Sequence, residues 1–188
     1  MTNRRHRLEP ALAAWRHAPG VLACLALWAC STTPPATSTQ PWVSGRLSVR
    51  VAATATQAAQ SESAAFELRG DATRGELRLN SPLGSRVAEA RWAPGDAVLV
   101  TPDGAQRFAD LDALSRQALG QALPLAALPD WLSGRPWPLA AHVVHDTGFD
   151  QLGWQVDLRR RDLGWIEARR EAPPALTLRV KLDTTEAP

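Results

Sequence analysis

The chain has 188 residues, of which 45% are hydrophobic and 21% are charged, and its formal net charge is +2. This length and balance predict one globular domain and argue against a disordered or multi-domain chain. Every basic residue except Lys181 is an arginine, and acidic residues are interleaved with them, so no concentrated basic face is available for nucleic acid.

The N-terminal segment resembles an export signal rather than part of a fold. Arg4, Arg5, Arg7 and Arg16 form a basic region, and the apolar segment 21–29 follows it. That segment is shorter than the roughly 20 apolar residues that a membrane-spanning helix needs. It therefore predicts a cleaved secretory signal.

The sequence Leu27-Trp28-Ala29-Cys30 resembles a bacterial lipobox. Cys30 is therefore the predicted lipidation site, which would carry diacylglycerol on its thiol and an acyl chain on its amino group. Cys24 is a rival, but the arginine, proline and glycine within 16–20 leave it no adequate apolar region. Cleavage by the ordinary signal peptidase is the other alternative. Apart from these covalent acyl groups, we expect no cofactor.

Cleavage before Cys30 removes four arginines and one glutamate, so the mature chain has a net charge of −1 and a single cysteine. It can form no internal disulfide, and its stability must come from its core. Residues 31–40, STTPPATSTQ, are small and polar, which indicates a flexible tether. The predicted organisation is a signal peptide over 1–29, a lipidated cysteine and tether over 30–41, and one domain over 42–188.

From Trp42 onward, apolar and polar residues alternate with a period of two. Leu47, Val49 and Val51 predict one face of a first strand, and Phe66 and Leu68 predict the same face of a second. Turns that contain proline and glycine follow at short intervals. Further strands of this antiparallel meander are predicted over 76–79, 88–92 and 97–100 and at Phe108.

The period changes after Asp110, which is a predicted N-cap. Leu111, Leu114 and Leu119 have helical spacing up to Gly120, which is a predicted C-cap. Prolines at 124 and 129 each favour the start of a further helical turn within 123–132. Strands are predicted again over 141–145, 154–158, 165–169 and 176–182.

Strands with one apolar face each, interrupted by a single helical insert, predict a mainly β fold. We expect a strongly curved antiparallel sheet, an unclosed half-barrel, with helices covering its concave side. Such a sheet encloses either a packed core or an apolar cavity, and composition alone does not separate the two.

The chain lacks the common sequence signatures of catalysis and of metal binding. It contains no phosphate-binding glycine loop, no Gly-x-Ser-x-Gly elbow and no paired-cysteine motif. His142 and His145, three apart on a predicted strand, face opposite sides of it and are poorly placed to share a metal. Asp110 and Asp112 do not face each other on a helix, so helix capping is favoured over an acid pair. We therefore predict no catalytic residue, no metal site and no enzymatic activity.

Several short motifs occur in order along the domain, and each is weak alone. They are Gly45-Arg46-Leu47, Phe66, Leu79-Asn80-Ser81-Pro82-Leu83-Gly84, Pro102-Asp103-Gly104, Leu123-Pro124-Leu125, Leu128-Pro129-Asp130-Trp131-Leu132-Ser133-Gly134, and Phe149 and Gln151 with Gly153-Trp154. Their order, their spacing and the lipobox upstream resemble the family of LolB, the outer-membrane lipoprotein receptor. The resemblance covers nearly the whole mature domain.

This resemblance implies an incomplete β-barrel with a helical lid over an apolar cavity. In the family, acylated lipoproteins arrive from the periplasmic carrier LolA, and the receptor inserts them into the inner leaflet of the outer membrane without nucleotide. The resemblance thus implies a lipid-anchored, periplasm-facing monomer. Its partners would be the LolA-lipoprotein complex, the acyl chains of the cargo and outer-membrane lipid.

The resemblance also implies a membrane-insertion loop at Pro82, Leu83 and Gly84, because the matching leucine of the family protrudes and is needed for insertion. The alternative is an ordinary turn with an incidental exposed leucine. Candidates for contact with acyl chains are apolar residues expected to face the interior, and core packing is the alternative for each of them. They are Val49, Phe66, Leu68, Leu77, Leu79, Trp92, Leu114, Trp131 and Trp154.

A passive binding or scaffold lipoprotein of outer-membrane assembly is the competing function. It predicts a filled core and no affinity for acyl chains. The receptor function instead predicts an accessible apolar cavity and a dependence on Leu83.

Overall fold

The computed structural model describes residues 40–119 and 123–184. The predicted signal peptide, Cys30, most of the tether and Gly120 lie outside the described residues. The strands are β1 Val43–Val51, β2 Gln60–Gly70, β3 Gly75–Asn80, β4 Arg86–Ala93, β5 Asp96–Thr101, β6 Gly104–Phe108, β7 His142–His145, β8 Gly148–Gln151, β9 Trp154–Asp157, β10 Trp165–Arg170 and β11 Leu176–Leu182. The helices are α1 Leu111–Leu119 and α2 Leu128–Leu132, and a single 3-10 turn covers Arg161–Leu163.

The eleven strands within the described residues belong to one antiparallel sheet. Its order is β6-β5-β4-β3-β2-β1-β11-β10-β9-β8-β7, so the first and last strands of the chain pair in the middle. β6 and β7 form the two edges and do not pair with each other. Both α-helices lie in the connection between these two edge strands. The predicted fold class, a mainly β, unclosed half-barrel with a helical insert, is therefore confirmed.

The central strand pair shows why the sequence folds in this way. Val49 pairs with Leu178 across β1 and β11, and the apolar residues two positions away on each strand lie on the same face. Leu176, Leu178 and Val180 are all buried on that face, while the intervening Arg179 is exposed. The apolar period of two therefore defines an inner face and an outer face of the sheet.

The predicted elements agree with the structure, with local exceptions. Asp110 does cap α1, because its Oδ1 accepts a 2.7 Å hydrogen bond from the Ala113 backbone N–H. Pro129 lies in the first turn of α2 as expected, whereas Pro124 lies in a turn in which its carbonyl accepts from the Ala127 N–H at 2.9 Å. The strand β8 was not predicted separately, because the polar Gln151 occupies an inward position and hides the alternation.

Gln151 is a buried polar side chain with every hydrogen-bonding group of its amide in use. Its Oε1 accepts from Trp131 Nε1 at 2.8 Å and from the Trp137 backbone N–H at 2.8 Å. Its Nε2 donates to the carbonyls of Trp137 at 2.7 Å and Ala140 at 2.9 Å. Trp131 in turn packs edge-on against Phe149 with ring centroids 6.2 Å apart. This amide therefore fixes α2 and the segment after it onto β8.

On the outer face, Glu76 accepts hydrogen bonds from two arginines. Arg69 Nη2 lies 2.6 Å from Glu76 Oε2, and Arg78 Nε lies 2.7 Å from Oε1. The Trp42 ring contacts both guanidinium groups, at 4.4 and 4.3 Å from their carbons. Burial by itself raises the pKa of Glu76, but the hydrogen bonds from Arg69 and Arg78 outweigh it and hold the pKa below its ordinary value.

We predict that Gln151→Leu destabilises the protein, because it leaves the buried Trp131 indole N–H and the half-buried Trp137 backbone N–H without their partner. The expected loss in the free energy of unfolding is about 2–4 kcal/mol in urea titrations with an unchanged slope. Gln155→Leu, at an exposed position of β9, is the matched control and should change stability by less than about 0.5 kcal/mol. Equal effects of the two substitutions would contradict the role given to Gln151.

Glu76 predicts a pH dependence of stability. Because its pKa is lower in the folded state, its contribution is fully present above the ordinary pKa of 4.5 and is lost as the pH falls from there through the folded pKa. Glu76→Gln should therefore show a shallower loss of unfolding free energy below this pH than the wild type. Glu171→Gln, at an exposed position, should keep the wild-type slope, and an unchanged slope in Glu76→Gln would refute the assignment.

Candidate functional site

The inner face of the sheet and the helical insert enclose an open cavity of about 630 Å³. Strands β1, β2, β3, β4 and β11 form one wall. The C-terminal part of α1, the segment 123–125 and α2 form the other. The lining residues are Leu47, Val49, Val51, Gln57, Gln60, Glu62, Ser63, Ala64, Leu77, Leu79, Val87, Ala118, Leu123, Pro124, Leu125, Leu128 and Leu178.

The cavity has an apolar floor and a polar mouth. The floor is formed by buried side chains, namely Val49, Leu77, Leu123, Leu125, Leu128 and Leu178. The mouth is formed by exposed residues, namely Gln57, Gln60, Glu62, Ser63, Val87 and Ala118. A ligand with an apolar chain and a polar end could therefore bury its chain at the floor and keep its polar end near solvent.

Three of the nine cavity candidates from the sequence line this cavity: Val49, Leu77 and Leu79. The other six lie in the buried core outside its lining, where large side chains fill the space between sheet and helices: Phe66, Leu68, Trp92, Leu114, Trp131 and Trp154. Contact of any of the nine with an acyl chain stays a prediction.

Several residues of the lining are not among the candidates predicted from the sequence. Leu47, Val51 and Leu178 share the inward face of β1 and β11, so the period of two was the signal that could have found them. Leu125 and Leu128 come from the helical insert. Their position depends on how the insert folds over the sheet, for which no local pattern exists.

A buried hydroxyl joins α1 to the wall of the cavity. Ser115 Oγ donates to the Asp112 carbonyl at 3.1 Å and accepts from the Leu123 backbone N–H at 3.1 Å. Because Leu123 begins the apolar segment 123–125, this bond fixes that part of the cavity wall to the preceding helix. Ser115 is fully buried, so loss of the bond would leave the Leu123 N–H without a partner there.

The turn between β3 and β4 holds Leu83 in solvent. The Gly84 N–H donates to the Ser81 carbonyl at 2.9 Å, and the Ser81 N–H donates to the Ser85 carbonyl at 2.8 Å. Gly84 has a φ of 84°, which favours glycine, and the Leu83 side chain is 94% exposed. Leu79 and Val87, four residues before and after Leu83, line the cavity. The exposed leucine is thus directly connected to the cavity wall.

The described residues, 40–119 and 123–184, contain no cluster of three or more His, Cys, Asp or Glu side chains that could hold a metal ion. His142 and His145 both lie on the exposed edge strand β7. His145 Nε2 is 2.9 Å from Asp150 Oδ2, which is a local surface pair. None of the helices in these ranges is long and apolar enough to cross a membrane.

Comparison with known proteins gives a consistent result. The family described as Outer membrane lipoprotein LolB matches residues 40–185. A Bordetella petrii protein named Outer-membrane lipoprotein LolB is 35% identical, over 79% of this chain and 81% of its own length. Proteins of the same name from Bordetella pertussis and Ralstonia nicotianae are 35% and 30% identical, over 79% and 86% of this chain and 80% and 92% of their own lengths.

We predict that Ala64→Phe reduces the binding of a fluorescent fatty-acid probe to the cavity about tenfold, or roughly 1.4 kcal/mol. Ala64 lines the cavity, so the added ring occupies space that the probe needs. Ala65→Phe is the control, because successive residues of a strand face opposite sides of the sheet. It should bind the probe like the wild type. Equal binding by all three proteins would show that the probe does not enter this cavity.

Proposed function

The chain belongs to the LolB family of outer-membrane lipoproteins, and we propose that it receives acylated lipoproteins and inserts them into the outer membrane. In this proposal the cargo comes from the periplasmic carrier LolA and enters the inner leaflet without nucleotide. The observation that carries the proposal is the open apolar cavity beside an exposed leucine.

The cavity suits acyl chains because thirteen of its seventeen lining residues are apolar. An acyl chain released into water would lose about 0.8 kcal/mol for each CH₂ group. Direct transfer from one apolar cavity to another removes that cost. The gradient then comes from binding alone, which requires that this cavity bind cargo more tightly than the carrier does and less favourably than the bilayer does.

Leu83 suits transient contact with lipid. Its side chain is almost fully exposed at the tip of a hydrogen-bonded turn. Burying one leucine in lipid contributes only about 1.5–3 kcal/mol. A contact of this strength would hold the cavity wall at the bilayer only briefly. The protein could then release the bilayer and act on the same membrane again.

The proposal includes an anchor at Cys30. Diacylglycerol and an N-linked acyl chain on that cysteine would hold the protein on the inner leaflet, because several chains bind far more strongly than one. The polar segment 31–39 would then act as the tether of a periplasm-facing monomer. Both features belong to the part of the chain outside the described residues.

We predict that Leu83→Glu accepts a radiolabelled lipoprotein from its LolA complex but fails to deliver it to liposomes. Uptake should remain within about twofold of the wild type, because the cavity is unchanged. Delivery should fall at least tenfold, because a carboxylate on the tip resists burial in lipid. The measurement follows the label from LolA to the purified domain and then to the liposomes.

Leu139→Glu is the matched control. Leu139 is 73% exposed but lies outside the β3–β4 turn and the cavity lining, so both transfer steps should be preserved. Failure of the folded wild-type domain to take up cargo would reject the receptor function and favour a passive scaffold. Normal delivery by Leu83→Glu would reject only the role proposed for the turn and would leave the receptor function standing.

A further inference from the structure

Glu62 is a charged residue on the inner face of the sheet. On β2 it shares the side of Ala64, Phe66 and Leu68, of which the last two are buried in the core. Its partner across the strand pair is Val49, a residue of the cavity floor. The inner face of β2 therefore changes from apolar to acidic at the mouth of the cavity.

No other titratable side chain lines the cavity within the described residues. Residues 120–122, which lie outside the described residues, are Gly-Gln-Ala and carry no charge. No ion pair joins Glu62 to a described basic residue, and the alternation of β1 directs Arg50 to the outer face. The mouth thus combines one negative charge with the neutral amides of Gln57 and Gln60.

A cavity that binds acyl chains and lies beside a bilayer has to distinguish lipoproteins from phospholipids. Phospholipids and lipoproteins both carry two acyl chains on glycerol, so the apolar floor alone does not distinguish them. The two lipids differ at the polar end, where a phospholipid has a phosphate group and a lipoprotein has a neutral thioether to cysteine. With the chains on the floor, that polar end would lie at the mouth, beside Glu62.

We propose that Glu62 is a specificity-determining residue that disfavours anionic phospholipids in the cavity relative to the neutral anchor of a lipoprotein. The inference rests on the proposed function, because it assumes that acyl chains occupy the cavity. Like charges a few ångströms apart repel each other even in partly hydrated surroundings. A neutral glyceryl thioether experiences no such repulsion, and the amides of the mouth can donate to its ester carbonyls.

The test is photo-crosslinking in the membrane-extracted protein, reconstituted in phosphatidylcholine vesicles. The vesicles contain either phosphatidylglycerol or a neutral triacylated lipopeptide, each with a diazirine at the end of an acyl chain. Mass spectrometry then counts the adducts on the floor residues Leu125 and Leu128. For the wild type we expect the lipopeptide to form most of these adducts.

In Glu62→Gln, adducts of phosphatidylglycerol should rise about fivefold to tenfold, while those of the lipopeptide should stay within about twofold. Glu62→Arg should raise the phosphatidylglycerol adducts further. The ratio between variant and wild type should approach one in 1 M NaCl, because salt screens the repulsion. Glu67→Gln is the matched control, since it removes the same charge from the same strand on the outer face.

Four outcomes would overturn the proposal. Equal phosphatidylglycerol adducts in the wild type and Glu62→Gln would show that the carboxylate does not select. A rise of the same size in Glu67→Gln would show that only the net charge matters. If the wild type forms as many adducts with phosphatidylglycerol as with the lipopeptide, only the proposed selectivity is rejected. If neither lipid forms adducts on the floor residues, the proposed function is rejected as well.

Discussion

The apolar inner face of the sheet has to be shielded from water. The arrangement of the helical insert and of the large core side chains follows from this requirement. In the part of the chain that the structure describes, eleven strands in one open sheet present a long apolar surface. The insert supplies α1, about 13 Å long, and α2, about 8 Å long, to cover it. The helices and the large aromatic side chains fill one part of the concave side. Where the lining consists of valine, leucine and alanine, the space between sheet and helices stays open as the cavity. The cavity is thus a consequence of incomplete cover, in a sheet whose edges β6 and β7 never meet.

Polar contacts keep this partial cover in place. The buried amide of Gln151 ties α2 and the segment after it to β8, and the Ser115 hydroxyl ties the segment 123–125 to α1. In both contacts, backbone groups outside helices and strands are bonded: those of Trp137 and Ala140 by Gln151, and that of Leu123 by Ser115. Because buried polar groups are costly to leave unpaired, each contact favours one position of the insert over the sheet. The turn at Leu83 is attached to the same framework through β3 and β4.

The period of two made most of the fold predictable from the sequence. It located β1, β2 and β11, and it failed at β8, where the inward residue is Gln151 rather than an apolar side chain. Val49, Leu77 and Leu79 were predicted for the interior and do line the cavity, whereas Trp131 and Trp154 fill core. Which inward residues border an open space depends on where the insert ends above them. The position of the insert above the sheet is a tertiary property, which no local sequence pattern encodes. Large side chains fill the space between sheet and insert and so close the cavity where they occur.

The central claim is that acyl chains occupy the cavity between the sheet and the helical insert. A crystal structure of the protein with a bound triacylated lipopeptide tests it most directly. We expect acyl chains in contact with Leu77, Leu128 and Leu178 and a glyceryl group at the mouth beside Glu62. A complex in which the chains bind elsewhere, with this cavity closed or empty, would contradict it.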